Sequence, residues 1–445
     1  MREPNSALLT DQYQLTMLQA YFLEGMEAEA TFELFVRRFP PTRNFLVAAG
    51  LQQLIEFLER FHVSSRECQW LAGTGLFRSD FLDYLGDLRF TGEVWAMPEG
   101  TVFFPNEPIV RISAPMPQAQ IVETRLINLI QLQTLIASKA VRSVLAAPDK
   151  LLVEFGLRRA HGFEAGLLAA RAAYLAGFSG SSNVLASKVF GMPAYGTMAH
   201  SYIMAHDDEA DAFERFAESL PHNVVLLIDT YDTLAGARKI VGLAPRLTEK
   251  GIAIHSVRLD SGDLVELSKA TRKILNEGGL TGCRIFASGD LDEHEVGRML
   301  SEGAPIDGFG IGTRLVTSAD APYLNCAYKL QEYAGRPRRK RSKGKETWPG
   351  RKQVFRFYDS AGLMSHDVLT LAADDLPGEP MLRPVMRDGR RLDELESLTD
   401  ARDRVLRQLR QLPARLKSLN KPESYSVKIG GPLRQLVGEM ERRGE

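Results

Sequence analysis

The sequence predicts an α/β fold built around a parallel barrel, complete or partial. Between 150 and about 320, short apolar runs repeatedly end in polar or glycine clusters and give way to helical patterns. About six or seven such units in a row imply a parallel sheet that curls rather than an open one. The unusual polar residues of the chain fall directly after these runs, where a barrel keeps its site.

Ahead of the barrel, 10–22 and 50–61 have helical periodicity, and 93–97 and 108–113 alternate like half-buried strands. The barrel runs follow in order. Leu151–Glu154 leads into FGLRRAHG, 174–178 into SGSSN, and 193–195 into GTMAHS. Next, 224–228 leads into DTYDT, 253–257 into RLDSGD, 284–287 into SGD, and 306–309 into GIGT. From about 334 the composition shifts, with nine Lys or Arg over 336–352 against one acid, Glu346. Strand-like VFRFYD and a charge-rich helical stretch over 392–419 come after it. These shifts divide the chain into 1–140, a barrel over 141–335 that holds the site, and 336–445. No internal repeat of fixed period is present.

Composition narrows the function. The 445 residues are 44% hydrophobic and 25% charged, as in an ordinary globular enzyme, and a core of that size needs no metal or disulfide staple. A net charge of −1 gives no global pull towards nucleic acid or anionic membrane. Cys68, Cys283 and Cys326 fit neither a zinc spacing nor a disulfide framework, which points to a reducing compartment. The stretch MREPNSALLTDQYQL lacks a signal-peptide pattern, and no apolar run approaches a membrane span. The expectation is a cytoplasmic enzyme.

Each strand-end motif has a chemical and a structural reading. His200 in GTMAHS suits acid–base work, phosphate contact or attack on a phosphoryl group, or it is a capping or core histidine. In VRLDSGDL, Asp260 can hold ribose hydroxyls or Mg²⁺, with Arg258 beside it. Ser261 and Gly262 can present amides to an anion, while Asp260 or Ser261 can simply cap a helix. Asp229 in LLIDTYDT is a ribose or Mg²⁺ candidate, or an N-cap. In SGDLDE, Gly289 and Asp290 suit phosphate or ribose, against a capping box from Asp290 to Glu293. Gly310, Gly312 and Thr313 let a backbone approach a phosphate closely, but the dinucleotide spacing and the P-loop are both absent. Arg158 and Arg159 suit a carboxylate or phosphate, or a surface ion pair. The basic stretch 336–352 is a solvated loop, a nucleic-acid patch or a clamp over a nucleotide. Tyr13 alone reads as a helix-face tyrosine.

Taken in order, TDQYQLTM, EFGLRRAHG, GFSGSSNV, GTMAHSYI, LLIDTYDT, VRLDSGDL, ASGDLDE, GIGTRLV and TWPGRKQVFR resemble the nicotinate phosphoribosyltransferases, from residue 10 to about 356. The last 25 or so residues and the tip of the basic loop fall outside the resemblance. The resemblance implies a barrel plus an open-faced sandwich built from N- and C-terminal segments. It implies synthesis of nicotinate mononucleotide from nicotinate and phosphoribosyl pyrophosphate in NAD salvage. ATP would be a co-substrate, Mg²⁺ a cofactor, and His200 the transiently phosphorylated residue, with Asp229 and Asp260 also catalytic. A homodimer sharing its site across the interface is implied, with Tyr13 reaching over to stack on the pyridine ring opposite Phe155. Arg158 or Arg258 would face the substrate carboxylate. Ser261, Gly262, Gly289, Asp290, Gly310, Gly312 and Thr313 would receive the phosphates.

The similar nicotinamide enzyme places an acid in the loop where this chain has Ser181 and Ser182. A carboxylate about 4 Å from that of nicotinate would cost on the order of 4 kcal/mol at an effective dielectric near 20, roughly a thousandfold in binding. Serine removes that repulsion and favours nicotinate over nicotinamide. The rival readings are a nicotinamide or quinolinate enzyme, or a non-catalytic nucleotide sensor or nucleic-acid binder using 336–352.

Overall fold

The computed structural model describes residues 6–444, so the N-terminal reading rests partly on positions outside the described residues. The chain forms two compact units, Met1–Ser138 with Tyr323–Glu445, and Lys139–Pro322. The sequence boundaries stood at 140 and 335, so 323–335 joins the first unit here.

The first unit is built on a seven-stranded antiparallel sheet. Its order is Arg336–Pro337, Cys326–Tyr333, Glu29–Val36, Pro108–Pro115, Glu93–Ala96, Arg383–Arg387 and Arg390–Arg391. Pro108–Pro115 departs from the half-buried expectation: all its residues but the last are buried. It lies between Glu29–Val36 and Glu93–Ala96, and its polar side chains are paired inside. Ser113 shares a 2.8 Å hydrogen bond with Thr31. Arg111 donates to the Lys352 carbonyl at 2.6 Å and lies 4.9 Å over the Trp95 ring. A second sheet sets Lys352–Tyr358 against Met364–Leu371, with Glu379–Pro380 and Val427–Ile429 at its edges. The VFRFYD strand is therefore present, and the C-terminal tail supplies an edge strand.

Helix Gln12–Glu24 ends at Gly25, whose φ of 63° provides the left-handed cap that glycine adopts without strain. Helix Leu51–Arg60 buries Leu51, Leu54, Ile55 and Leu58, an i, i+3, i+4, i+7 stripe. The charge-rich stretch 392–419 resolves into helix Leu398–Gln411, capped by Ser397, and a 3-10 turn Ala414–Lys417.

The second unit is a curled parallel sheet, a half-barrel. Its order is Gly180–Ser181, Leu151–Glu154, Gly308–Ile311, Arg284–Ser288, Ile254–Leu259 and Val224–Leu227. Ala194 extends it through a parallel bridge to Ser181. The first and last strands of this unit in chain order, Leu151–Glu154 and Gly308–Ile311, thus pair directly, as a barrel requires. Among the described residues no pairing joins Ala194 to Val224–Leu227, and the sheet is open there.

Two strand expectations move. The run 174–178 belongs to the end of helix Phe163–Leu175 and the turn after it, and the strand is only Gly180–Ser181. An alanine-rich buried helix face had the look of a strand. The run 306–309 shifts to Gly308–Ile311, because Asp307 is used as a ladder anchor, accepting from the Ile285 amide at 2.8 Å. Among the described residues no helix is long and apolar enough to cross a membrane.

Candidate active site

The carboxyl ends of Val224–Leu227 and Ile254–Leu259 bring Asp229 and Asp260 together. One Asp229 oxygen, Oδ2, accepts from the Asp260 amide at 2.8 Å and the Ser261 hydroxyl at 2.7 Å. The other, Oδ1, is buried and has no hydrogen-bond partner among the described residues. Such an oxygen is costly to leave unfilled and marks a ligand position. Asp260 Oδ1 accepts from Ser288 Oγ and, at 3.0 Å, from Arg258 Nη2. Burial alone would raise the Asp260 carboxyl, but Ser288, Arg258 and His200 outweigh it and hold the group below the usual range.

His200 opens the short helix His200–Met204. Its Nδ1 lies 3.1 Å from Thr230 Oγ1 and its Nε2 lies 3.9 Å from Asp260 Oδ2. The side chain is 38% exposed, open enough to meet a substrate. Arg258 is committed elsewhere. Besides Asp260 it donates to Ser288 Oγ at 2.9 Å, Thr197 Oγ1 at 3.1 Å and the Met198 carbonyl at 3.2 Å. It braces the His200 segment against two strand ends.

Two of the three glycine loops differ from the capping expectations in one consistent way. Asp263, not Asp260 or Ser261, caps helix Leu264–Glu277, accepting from the amides of Val265 and Glu266. Asp292, not Asp290, caps helix Glu293–Ser301. That leaves Asp260, Ser261 and Gly262, and Gly289 and Asp290, free of capping duty and ahead of the helices. Gly289 has φ 101°, and a Cβ there would lie 2.1 Å from the Asp260 carbonyl, so only glycine fits. A Cβ on Gly310 would lie 2.4 Å from the Phe155 ring, and Gly312 faces the Phe155 carbonyl. Thr313 begins the next turn, and Arg314 beside it donates to Asp292 at 2.7 Å, joining the second and third loops.

Phe155 follows Leu151–Glu154 and packs 5.8 Å from Phe286, with the Arg258 guanidinium 5.8 Å from its own ring centre. It borders a cavity of about 1050 Å³ lined by the alternate residues Leu151, Val153 and Phe155, with Tyr195, Thr197 and Ser256. Arg158 and Arg159 lie in an exposed 3-10 turn, and among the described residues neither has an ion-pair partner. Ser181 is fully buried; its hydroxyl donates to Glu154 Oε2 at 2.5 Å and accepts from the Asn183 amide at 2.9 Å. Ser182 is half-buried, and its amide donates to the Glu154 carbonyl at 2.9 Å. In the first unit Tyr13 is 49% exposed, its hydroxyl held by Gln14 at 2.9 Å. There the basic stretch borders a cavity of about 250 Å³, lined by Arg37, Arg38, Gln331, Thr347, Trp348 and Lys352. Its walls carry the buried Gln331 Oε1 and Arg37 Nε, which have no hydrogen-bond partner among the described residues.

Sequence reasoning had passed over Glu154, Thr197, Thr230 and Ser288 as functional side chains. Each sits inside a quoted motif, but an ordinary hydroxyl or a strand-end acid carries no signal until its partner is known. Among the described residues no group of three or more His, Cys, Asp or Glu is gathered for a metal.

Models of the nicotinate phosphoribosyltransferase N-terminal domain, family and C-terminal domain match residues 8–131, 151–344 and 376–437. The chain belongs to the nicotinate phosphoribosyltransferase family. The match in 376–437 reaches past residue 356, where the motif resemblance stopped. A nicotinate phosphoribosyltransferase of Mycobacterium tuberculosis is 48% identical, covering 99% of this chain and 95% of its own. One from Bacillus subtilis is 39% identical, covering 86% and 79%. The structure of human nicotinic acid phosphoribosyltransferase superposes with a TM-score of 0.88 at 30% identity, covering 97% and 99%. A Pyrococcus furiosus nicotinate-nucleotide pyrophosphorylase superposes with a TM-score of 0.75 at 26% identity, covering 92% and 97%. The family is one of enzymes, and the strand-end carboxylates, glycines and histidine lie within its matched core.

Proposed function

We propose that the protein joins nicotinate to phosphoribosyl pyrophosphate, giving nicotinate mononucleotide and pyrophosphate for NAD salvage. The observation that carries this reading is the Asp229–Asp260 pair with its unfilled Asp229 oxygen, set beside His200 at the strand ends. The pyridine nitrogen is itself the nucleophile, so no general base is needed. It bonds to the ribose C1 as the bond from C1 to the pyrophosphate oxygen breaks. Positive charge spreads over the ribosyl group, and negative charge gathers on the leaving group.

Asp229 Oδ1 suits a ribose hydroxyl or a metal bound with the pyrophosphate. Mg²⁺, when bound, would take Asp229 and Asp260 among its oxygen ligands and neutralise the leaving group. The amides of Ser261, Gly262, Gly289, Asp290, Gly310, Gly312 and Thr313 would receive phosphate oxygens. Phe155 would carry one face of the pyridine ring. Tyr13, from the partner subunit of a homodimer, would carry the other; the exposed Val184, Leu185 and Val189 beside the serine loop support such an interface. Arg158 would face the carboxylate, since Arg258 already makes four hydrogen bonds, to Asp260, Ser288, Thr197 and Met198. The net charge of −1 and the Gln331–Arg37 cavity favour a phosphate clamp over nucleic-acid binding for 336–352.

ATP would be coupled through His200. The Asp260 carboxylate favours the imidazole proton on Nε2, leaving the Nδ1 lone pair to accept from the Thr230 hydroxyl. Nδ1 then attacks the γ-phosphoryl group and ADP departs; later hydrolysis returns the free histidine and phosphate. Turnover is tested with Mg²⁺, phosphoribosyl pyrophosphate and each of nicotinate, nicotinamide and quinolinate, with and without ATP. Nicotinate alone is expected to react, and equal use of nicotinamide overturns the substrate assignment. His200→Ala is expected to lose ATP stimulation and the acid-labile phosphate; unchanged ATP coupling removes His200 from the mechanism.

A further inference from the structure

Glu154 is fully buried at the end of its strand, and among the described residues it has no ion-pair partner. A carboxyl group buried without a cation is costly, so its presence calls for a use. Its two oxygens divide between the two loops of the pyridine site. Oε2 takes the Ser181 hydroxyl at 2.5 Å, and Oε1 takes the Gly156 amide. Its own carbonyl accepts from the Ser182 amide at 2.9 Å. Burial pushes the carboxyl above its ordinary value, and the Ser181 and Gly156 hydrogen bonds offset this only in part.

Two consequences follow for the neighbours. The Gly156 bond fixes the backbone immediately after Phe155, and so the direction of that ring. The Ser181 hydroxyl has given its only proton to Glu154, so it has none for a substrate carboxylate. Ser182, one residue on, has a hydroxyl with no hydrogen-bond partner among the described residues, and its backbone is held by the same glutamate.

We infer that Glu154 is a positioning residue for the pyridine substrate, locking Phe155 and Ser182 in register and reserving Ser182 alone for the ring carboxylate. The inference rests on the reading of this site as the nicotinate pocket. Glu154→Gln keeps the volume and weakens both bonds; Ser181→Ala removes one partner. Each is expected to raise KM for nicotinate about tenfold, the worth of one well-placed hydrogen bond. KM for phosphoribosyl pyrophosphate and kcat should stay within about twofold, and the double variant should be no worse than the poorer single one.

A general weakening of the fold would not split the two KM values in this way. Unchanged nicotinate KM in folded variants, or equal rises for both substrates, overturns the proposal. If Glu154→Gln does not fold, Ser181→Ala decides alone. The wild type is run first on all three pyridines. If it prefers another one, the nicotinate reading fails, and the same KM split measured on that pyridine still decides the positioning role.

Discussion

Ser181 and Ser182 are adjacent in the chain and chemically identical, yet one is a buried brace and the other is half-buried, with no side-chain hydrogen bond among the described residues. Ser181 ends the short strand Gly180–Ser181 against Glu154, and Ser182 lies just beyond that strand. The electrostatic argument for nicotinate therefore falls on Ser182. Ser182→Asp is expected to raise KM for nicotinate roughly a thousandfold through like-charge repulsion, while nicotinamide is spared. Steady-state kinetics with both pyridines checks this, and an equal loss for both places the substrate ring elsewhere. Arg258 teaches the same lesson in reverse. Sequence offered it as a carboxylate receptor, but its donors are held by Asp260, Ser288, Thr197 and Met198. A planar fork beside an acid two residues away closes on that acid first.

At the scale of elements, the loops after Ile254–Leu259 and Arg284–Ser288 each place their helix cap later than the sequence suggested. Both run through a positive-φ glycine before the capping aspartate, so the residues between strand and cap are released for ligands. Spacing alone could not divide two aspartates in one motif into a cap and a site residue. The same ambiguity hid Glu293, read as part of a capping box. It is instead fully buried, 2.7 Å from Lys139 and 2.6 Å from Arg142. Burial alone would raise its carboxyl, but these cations outweigh that and hold it below its ordinary value of 4.5. A depressed folded pKa contributes stability that is complete above the unfolded value and fades as pH falls through the folded one. Glu293→Gln is expected to cost about 3–5 kcal/mol near neutrality, as for a broken buried pair. Urea titrations should find the wild type's advantage shrinking below about pH 4.5; an advantage constant with pH would show that the pair is not the source.

Across the whole molecule, the barrel rhythm was readable because buried parallel strands must be apolar and must end in something polar. The helices 12–24 and 51–60 were readable for the matching reason, a stripe repeating every third or fourth residue. What stayed hidden depended on partners distant in sequence. Arg111 looks like the outward face of a strand until Trp95 and Lys352 close over it. A two-residue strand such as Gly180–Ser181 is defined wholly by its neighbours and has no pattern of its own. The break in the curled sheet belongs to this class as well, and it falls across the part of the chain that carries His200. Between Ala194 and Val224–Leu227 the backbone is not stitched into the ladder, so that stretch can open without unzipping the sheet. Hydrogen–deuterium exchange should resolve two populations of amides, fast ones around 196–206 and slow ones in Ile254–Leu259. ATP should slow the first population and leave the second unchanged; the phosphoryl acceptor would then ride on a tether, and its timing could be tuned without reshaping the frame.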